Sequence, residues 1–301
     1  MIEIRDLYKK FGKTEALAGI NLTIQKASIY GLVGTNGAGK TTIIKHMAGV
    51  LKSDAGEILY DGEPVFENVD VKQKIGLIPD ELYFPNNYSI KDMVRQYAAT
   101  YENWNEERCR KLTELFKLDP NASLRSFSKG MKKQAMFALT LAKMPQYLLL
   151  DEPIDGLDPI VRKLVWKQIV DDTSERGTTV LVSSHNLRDM ETICDYIGII
   201  DNGKTVIERE IETVRDGLSK VQVAFSNENR TKGEEAIAKL DVLHRDSHGS
   251  ISLLIVREDI DVIRKTLEGI PPLLLDILPL SLEEVFIYEL GGQKYDFKDI
   301  L

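Results

Sequence analysis

The chain has 301 residues, 43% of them hydrophobic, with 39 Lys and Arg against 47 Asp and Glu and a formal net charge of −8. That length accommodates two domains at roughly 100–200 residues each. The acidic balance argues against sequence-independent nucleic-acid binding, which depends on Lys and Arg neutralising phosphates. No apolar run approaches the ~18–20 residues of a membrane-spanning helix. The longest, Ile270 to Leu280, is broken by Pro271, Pro272, Asp276 and Pro279. The opening MIEIRDLYKK alternates like a strand and lacks the apolar centre of a signal peptide. Cys109 and Cys194 stand alone, with neither metal-ligand nor disulfide spacing, as two thiols of a reducing cytoplasm.

In chain order, alternating or continuously apolar runs predict strands at Ile2–Leu7, Ile20–Ile24 and Ile29–Val33. A helix follows over Thr41–Val50, then a strand at Glu57–Tyr60 with a hairpin-type turn at Asp61-Gly62, and a strand at Lys74–Ile78. From Ser89 to Lys143 the texture is helical. Ser89 and Asp92 form a capping box, and helices are expected over Asn105–Lys117 and Lys129–Lys143. Alternation then returns: strands at Tyr147–Leu150, Thr178–Ser183, Ile197–Ile200 and Thr205–Glu208, with helices over Pro159–Glu175 and Leu187–Cys194. Asp201-Asn202-Gly203 reads as a tight turn. Buried strands alternating with helices imply an α/β fold built on a largely parallel sheet. Beyond Asp216 the order strand, helix, strand, strand, helix, strand, from Val221 to Leu278, suggests a small ferredoxin-like unit. A last helix over Ser281–Leu290 has its own capping box in Ser281 and Glu284. Glu283, Glu284, Asp296 and Asp299 read as a solvated acidic end.

One segment carries chemistry on its face. Gly34-Thr35-Asn36-Gly37-Ala38-Gly39-Lys40-Thr41 fits G-x-x-x-x-G-K-[ST], between a strand and a helix as that motif requires. Glycines let successive N–H groups point inward at phosphate oxygens, and the helix start adds its positive end. Lys40 offers a charge to the β- and γ-phosphates and Thr41 a hydroxyl to Mg2+. Gly34, Asn36, Gly37, Ala38, Gly39, Lys40, Thr41 and Thr42 are therefore candidate positions for binding a nucleoside triphosphate. No N-K-x-D tetrapeptide for guanine occurs.

Further along, LRSFSKGMKKQ (124–134), YLLLDEPIDGLDP (147–159) and VLVSSHNL (180–187) appear in order. With the phosphate loop they make residues 1 to 210 resemble ABC-transporter ATPase subunits. The Ser-Lys-Gly-Met-Lys segment and YENWNEERCRKLTELFKLD are similar to Gram-positive exporter ATPases of the bacitracin-resistance and peptide-export type. The resemblance implies an ABC-type P-loop fold over 1–216: a mainly parallel sheet, an antiparallel β part and an inserted helical subdomain at about 83–145. Residues 217–301 then form a small accessory α+β domain.

By position, the resemblance implies that Asp151 holds Mg2+ and that Glu152 is the general base polarising the attacking water. It implies that His185 contacts the γ-phosphate and that Phe11 stacks on adenine. Ser128 and Gly130 would reach the nucleotide of the opposite subunit, with Ser128 also a plausible helix N-cap. Asp158 would cross the dimer interface and cap the helix that Pro159 begins. Asp155 has no assigned chemistry beyond the turn before Gly156. Two departures stand out. Asp80 occupies a position where the family usually has Gln, and is expected in the coupling loop and near the metal through water. Lys129 replaces the usual Gly and reads as solvated.

The implied protein uses ATP and Mg2+, and closes two copies, or one copy and a homologous ATPase, head to tail. It drives a separate polytopic membrane subunit from the cytoplasmic face of the membrane, exporting a peptide or antibiotic-like amphipathic molecule. No nucleic-acid partner is expected. The alternative, a soluble ABC ATPase acting on ribosomes or nucleic acid, usually carries two phosphate loops, and one is present. A chromosome or repair ATPase needs a long insertion that the 111 positions from Lys40 to Asp151 do not hold.

Overall fold

Strands β1 (Ile2–Phe11) and β2 (Thr14–Ile24) open the chain as an antiparallel pair. Both outrun the apolar segments that predicted them. The ladder continues through polar Lys9, Lys10, Thr14 and Glu15 because its hydrogen bonds come from the backbone, whatever the side chains. These coordinates are a computed structural model that describes residues 1–214, 217–278 and 280–290. The chain divides into two units, Met1–Glu208 and Arg209–Leu301. Residues 215 and 216, where the sequence places the boundary, lie outside the described residues, as do Asp296 and Asp299.

In the first unit, β3 (Ile29–Val33), buried at every position, runs into the glycine loop and α1 (Lys40–Met47). Strands β4 (Ala55–Tyr60) and β5 (Glu63–Pro64) turn at Asp61-Gly62, both at positive φ as a two-residue hairpin loop of this kind requires. The first sheet, antiparallel throughout, has the order β2-β1-β4-β5. A short helix that the sequence reading missed, α2 (Val69–Gln73), starts on an Asn68 cap and leads to β6 (Ile75–Ile78).

The helical stretch comprises α3 (Ile90–Thr100), α4 (Glu106–Leu115) and α5 (Lys129–Ala142). The capping box before α3 is complete: Asp92 N donates to Ser89 Oγ at 3.2 Å and Ser89 N to Asp92 Oδ2 at 2.9 Å. Helix α4 stops at Leu115, short of the expected Lys117. Lys117 takes φ 54°, and Leu118 N turns back onto Thr113 O. Both α3 and α4 pack on α5.

The unit continues with β7 (Tyr147–Asp151), α6 (Pro159–Arg176), β8 (Thr179–Ser184), α7 (Leu187–Glu191), β9 (Tyr196–Asp201) and β10 (Lys204–Glu210). The expected helix to Cys194 ends at Glu191. Asp195 exchanges hydrogen bonds with Ile29, its N–H to the carbonyl and its carboxylate to the N–H, and so draws the chain into β9. A second sheet has the order β10-β9-β3-β8-β7-β6, with β9, β3, β8, β7 and β6 successively parallel. The core between α1 and the sheets gathers Leu17, Leu32, Ile43, Ile44, Met47, Leu149 and Leu181, all essentially unexposed. Both cysteines are free and buried.

The second unit contains α8 (Ile211–Val214), β11 (Ser219–Ala224), α9 (Arg230–Ile237), β12 (Val242–His248), β13 (Ile251–Val256), α10 (Ile260–Thr266), β14 (Leu274–Leu278) and α11 (Leu282–Leu290). Its antiparallel sheet runs β12-β13-β11-β14, the ferredoxin-like order. Val221, Val223, Leu254 and Val256 of the sheet meet Ala236, Ile237, Ile263 and Leu267 of the helices. Glu284 is not simply solvated: it closes the Ser281 capping box and accepts a hydrogen bond from Lys220. Burial raises its pKa, but the Lys220 and Ser281 hydrogen bonds prevail and hold it below the usual carboxylate range.

Candidate active site

Three neighbouring parallel strands, β3, β8 and β7, end side by side, and the loops leaving their carboxyl ends carry most of the predicted residues. In open α/β sheets this edge is where ligands bind. From β3 comes the loop Gly34–Gly39. Gly39 takes φ 112°, and a Cβ there would meet Ala16 O and Leu17 Cδ2, each at 3.0 Å, so only glycine fits. Ala38 is buried and its carbonyl accepts from Gly203 N at 3.0 Å, while Ala18 N donates to Gly203 O at 2.8 Å. The Asp201–Gly203 turn thus buttresses the loop from behind. Asn36, Gly37 and Thr41 are exposed and Thr42 is half-buried. No acid sits in the first turn of α1, so its positive end is left for an anion.

Lys40 is buried, and its Nζ donates to Gly34 O at 2.6 Å and Thr35 O at 3.2 Å. Glu152 Oε1 lies 3.4 Å from the same ammonium. At the end of β7, Asp151 is 2% exposed, and the β7–β8 register sets it opposite Ser183. Ser183 Oγ donates to Asp151 Oδ1 at 2.7 Å and accepts from Glu152 N at 3.0 Å. Glu152 itself has φ 45°, a left-handed conformation that is uncommon outside glycine. His185, just beyond β8, directs Nδ1 at Glu152 Oε2, 3.0 Å away. Asp155 is closer to this chemistry than its turn assignment suggested. It, Glu152 and His185 each offer a ligand atom within 4.8 Å of the others.

The other predicted residues sit at the ends of other elements. Ser128 caps α5, accepting from Met131 N at 3.2 Å. Gly130 lies against the 156–157 loop: a Cβ there would come 3.1 Å from Gly156 O. Asp158 caps α6, its Oδ1 accepting from Ile160 N and Val161 N at 3.0 Å each. Ser128 and Asp158 are exposed, Gly130 half-buried. Phe11 is 48% exposed at the end of β1, with Lys9 Nζ 5.6 Å from its ring centroid. Asp80, two positions beyond β6, places Oδ1 3.8 Å from Lys133 Nζ.

Sequence reasoning missed Ser183 and Lys133. The first could have been read from VLVSSH, where a serine ends a buried strand; the second was hidden in a lysine-rich run.

The donor set suits a hard divalent cation. Thr41 supplies a hydroxyl on an exposed helix start, and Asp151 a carboxylate fixed by Ser183, oxygen ligands of the kind Mg2+ selects. Beside them the loop and Lys40 form a cradle for phosphate.

A family model described as "ABC transporter" matches residues 17–155. The chain is 31% identical over 294 residues to the ABC transporter ATP-binding protein YtrB of Bacillus subtilis, spanning 98% of this chain and 99% of that protein. It is 28% identical over 310 residues to the bacitracin transport ATP-binding protein BcrA of Bacillus licheniformis, spanning 97% and 98%. Among solved structures, an ATP binding subunit of an ABC transporter superposes with a TM-score of 0.67 at 25% identity, over 71% of this chain and 92% of that one. Among the described residues no helix is long and apolar enough to cross a membrane.

Proposed function

This chain belongs to the ABC transporter family of ATP-binding subunits and is an ATPase of ATP-powered transport, and we propose that it works as a head-to-tail dimer driving a separate membrane subunit. The observation that carries this reading is the convergence of Lys40, Asp151, Glu152 and His185 at the ends of three adjacent strands. The phosphate loop and Lys40 hold the triphosphate. Thr41 and Asp151 would hold Mg2+, which neutralises charge developing on the phosphate oxygens.

Glu152 polarises the attacking water. The water oxygen forms a bond to the γ-phosphorus, the bond to the bridging oxygen of ADP breaks, and a water proton passes towards Glu152 Oε. His185, donating from Nδ1, keeps that carboxylate turned to the γ-phosphate position. Phe11 offers its exposed ring to adenine.

Ser128, Gly130 and Asp158 complete the partner's site rather than their own. Support comes from their shared rim: Gly130 touches the loop that leads into Asp158, and Ser128 and Asp158 are exposed helix caps. Asp80 and the segment after it form the face that couples to the membrane subunit at the cytoplasmic side. The cargo is a peptide or antibiotic-like amphipathic molecule, a reading supported by the likeness to a bacitracin transport protein.

Glu152→Gln tests the assignment. Loss of a positioned general base lowers turnover roughly 10²–10⁴-fold, while ATP binding persists and the ATP-bound dimer accumulates in sedimentation velocity. Turnover at the wild-type rate would overturn the role of Glu152. A variant that stays monomeric in saturating ATP would overturn the dimer.

A further inference from the structure

Behind the general base lies a buried lysine that the mechanism above does not use. Lys133 sits on α5, in the run Lys129, Lys132, Lys133, yet its side chain has 0% exposure. Its Nζ donates to Glu152 O at 2.6 Å, a short charge-assisted bond. Burial lowers the pKa of this ammonium, and the carboxylates of Asp80, Asp155 and Glu152 act against that. Asp80 Oδ1, at 3.8 Å, is near enough to compensate charge and too far to take the hydrogen bond.

Glu152 needs such a hold. A non-glycine residue at φ 45° persists only where its surroundings over-determine it. Here the Glu152 peptide groups are gripped from both sides: Ser183 Oγ takes the N–H at 3.0 Å and Lys133 takes the carbonyl. Released from that grip, the backbone relaxes towards negative φ and swings the carboxylate away from Lys40 and His185.

We propose that Lys133 is a positioning residue for ATP hydrolysis: its ammonium holds the left-handed Glu152 peptide, and through it the direction of the carboxylate. Asp80, standing where the family usually has Gln, supplies the counter-charge that lets the ammonium sit there. The inference rests on Glu152 acting as general base.

The test uses the full chain and Lys133→Met, which keeps the stem and removes the donor. Misplacing a reacting group by about 1 Å costs on the order of 10²-fold, so kcat falls roughly 10–100-fold while the KM for ATP changes little. Lys133→Arg, which restores a cationic donor, recovers part of kcat. In a Glu152→Gln background, Lys133→Met lowers single-turnover hydrolysis no further, because the group it positions is already gone. The proposal is overturned by a folded Lys133→Met protein with wild-type kcat, or by an equal fold-loss in both backgrounds. Should Lys133→Met fail to melt cooperatively, Lys133→Leu, which also lacks the donor, gives the same kcat-against-KM reading. Wild-type turnover by Glu152→Gln alone would instead sink the assignment of the base.

Discussion

Ser183 is one hydroxyl serving two functional groups, and Ser183→Ala removes both bonds at once. The side chain is unexposed; it donates to Asp151 Oδ1 at 2.7 Å and accepts from Glu152 N at 3.0 Å. Alanine fills nearly the same volume, so no sizeable cavity opens and the loss is polar. A buried group stripped of its partner costs about 1–3 kcal/mol, so the pair sums to roughly 2–6 kcal/mol. At about 2–4 °C per kcal/mol for a domain of this size, the melting transition of the first unit falls by roughly 4–24 °C. Turnover falls too, on the order of 10²-fold if either carboxyl-bearing residue shifts by about 1 Å. Ser184→Ala is the control on the same strand. Ser184 Oγ accepts only from Asn186 N among the bonds described, at 2.9 Å, and its loss costs about 1 kcal/mol. Circular dichroism melting and phosphate release measure the two effects. A Ser183→Ala protein that melts with the wild type and turns over normally would refute the reasoning.

Asp158→Ala removes the α6 cap that satisfies two N–H groups and costs about 0.5–2 kcal/mol by chemical denaturation. If Asp158 also crosses the interface, the same variant weakens ATP-dependent dimerisation in sedimentation, an effect a cap alone does not produce. Burial raises the pKa of Asp61, but hydrogen bonds from the Met1 amine, Lys26 and Tyr147 outweigh it and bring it down to about 2. A folded pKa below the unfolded value means stability present above pH ~4 and lost as pH falls towards ~2. The side chain is 42% exposed, so solvent screening reduces this contribution to about 1 kcal/mol. Urea titrations of wild type and Asp61→Asn should differ at pH 6 and converge near pH 2; a constant gap would contradict the shift.

Local chemistry made much of this protein legible in its sequence. A phosphate cradle needs glycines, a lysine and a hydroxyl within one turn of chain, so 34–41 declares itself without the fold. Strand β7 is Tyr147 and three leucines up to Asp151, and helix caps at Ser89, Ser128 and Asp158 are written a few residues from the groups they satisfy. The βαββαβ order of the second unit followed from periodicity alone. What failed was too short for periodicity, as in α2, set by a local backbone reversal, as at the end of α4, or set by partners far along the chain, as at the end of α7.

The opposing roles of Ser183 and Lys133 belong wholly to the tertiary structure. Ser183 meets Asp151 because parallel register aligns them across 32 positions, and Lys133 meets Glu152 because α5 carries it beneath the end of β7. Read in one dimension, the first is a strand residue and the second a surface cation. Sequence determines which groups can do the chemistry, since bond-making demands particular atoms. Packing decides how they are held, because orientation is fixed by whatever the fold brings within 3 Å.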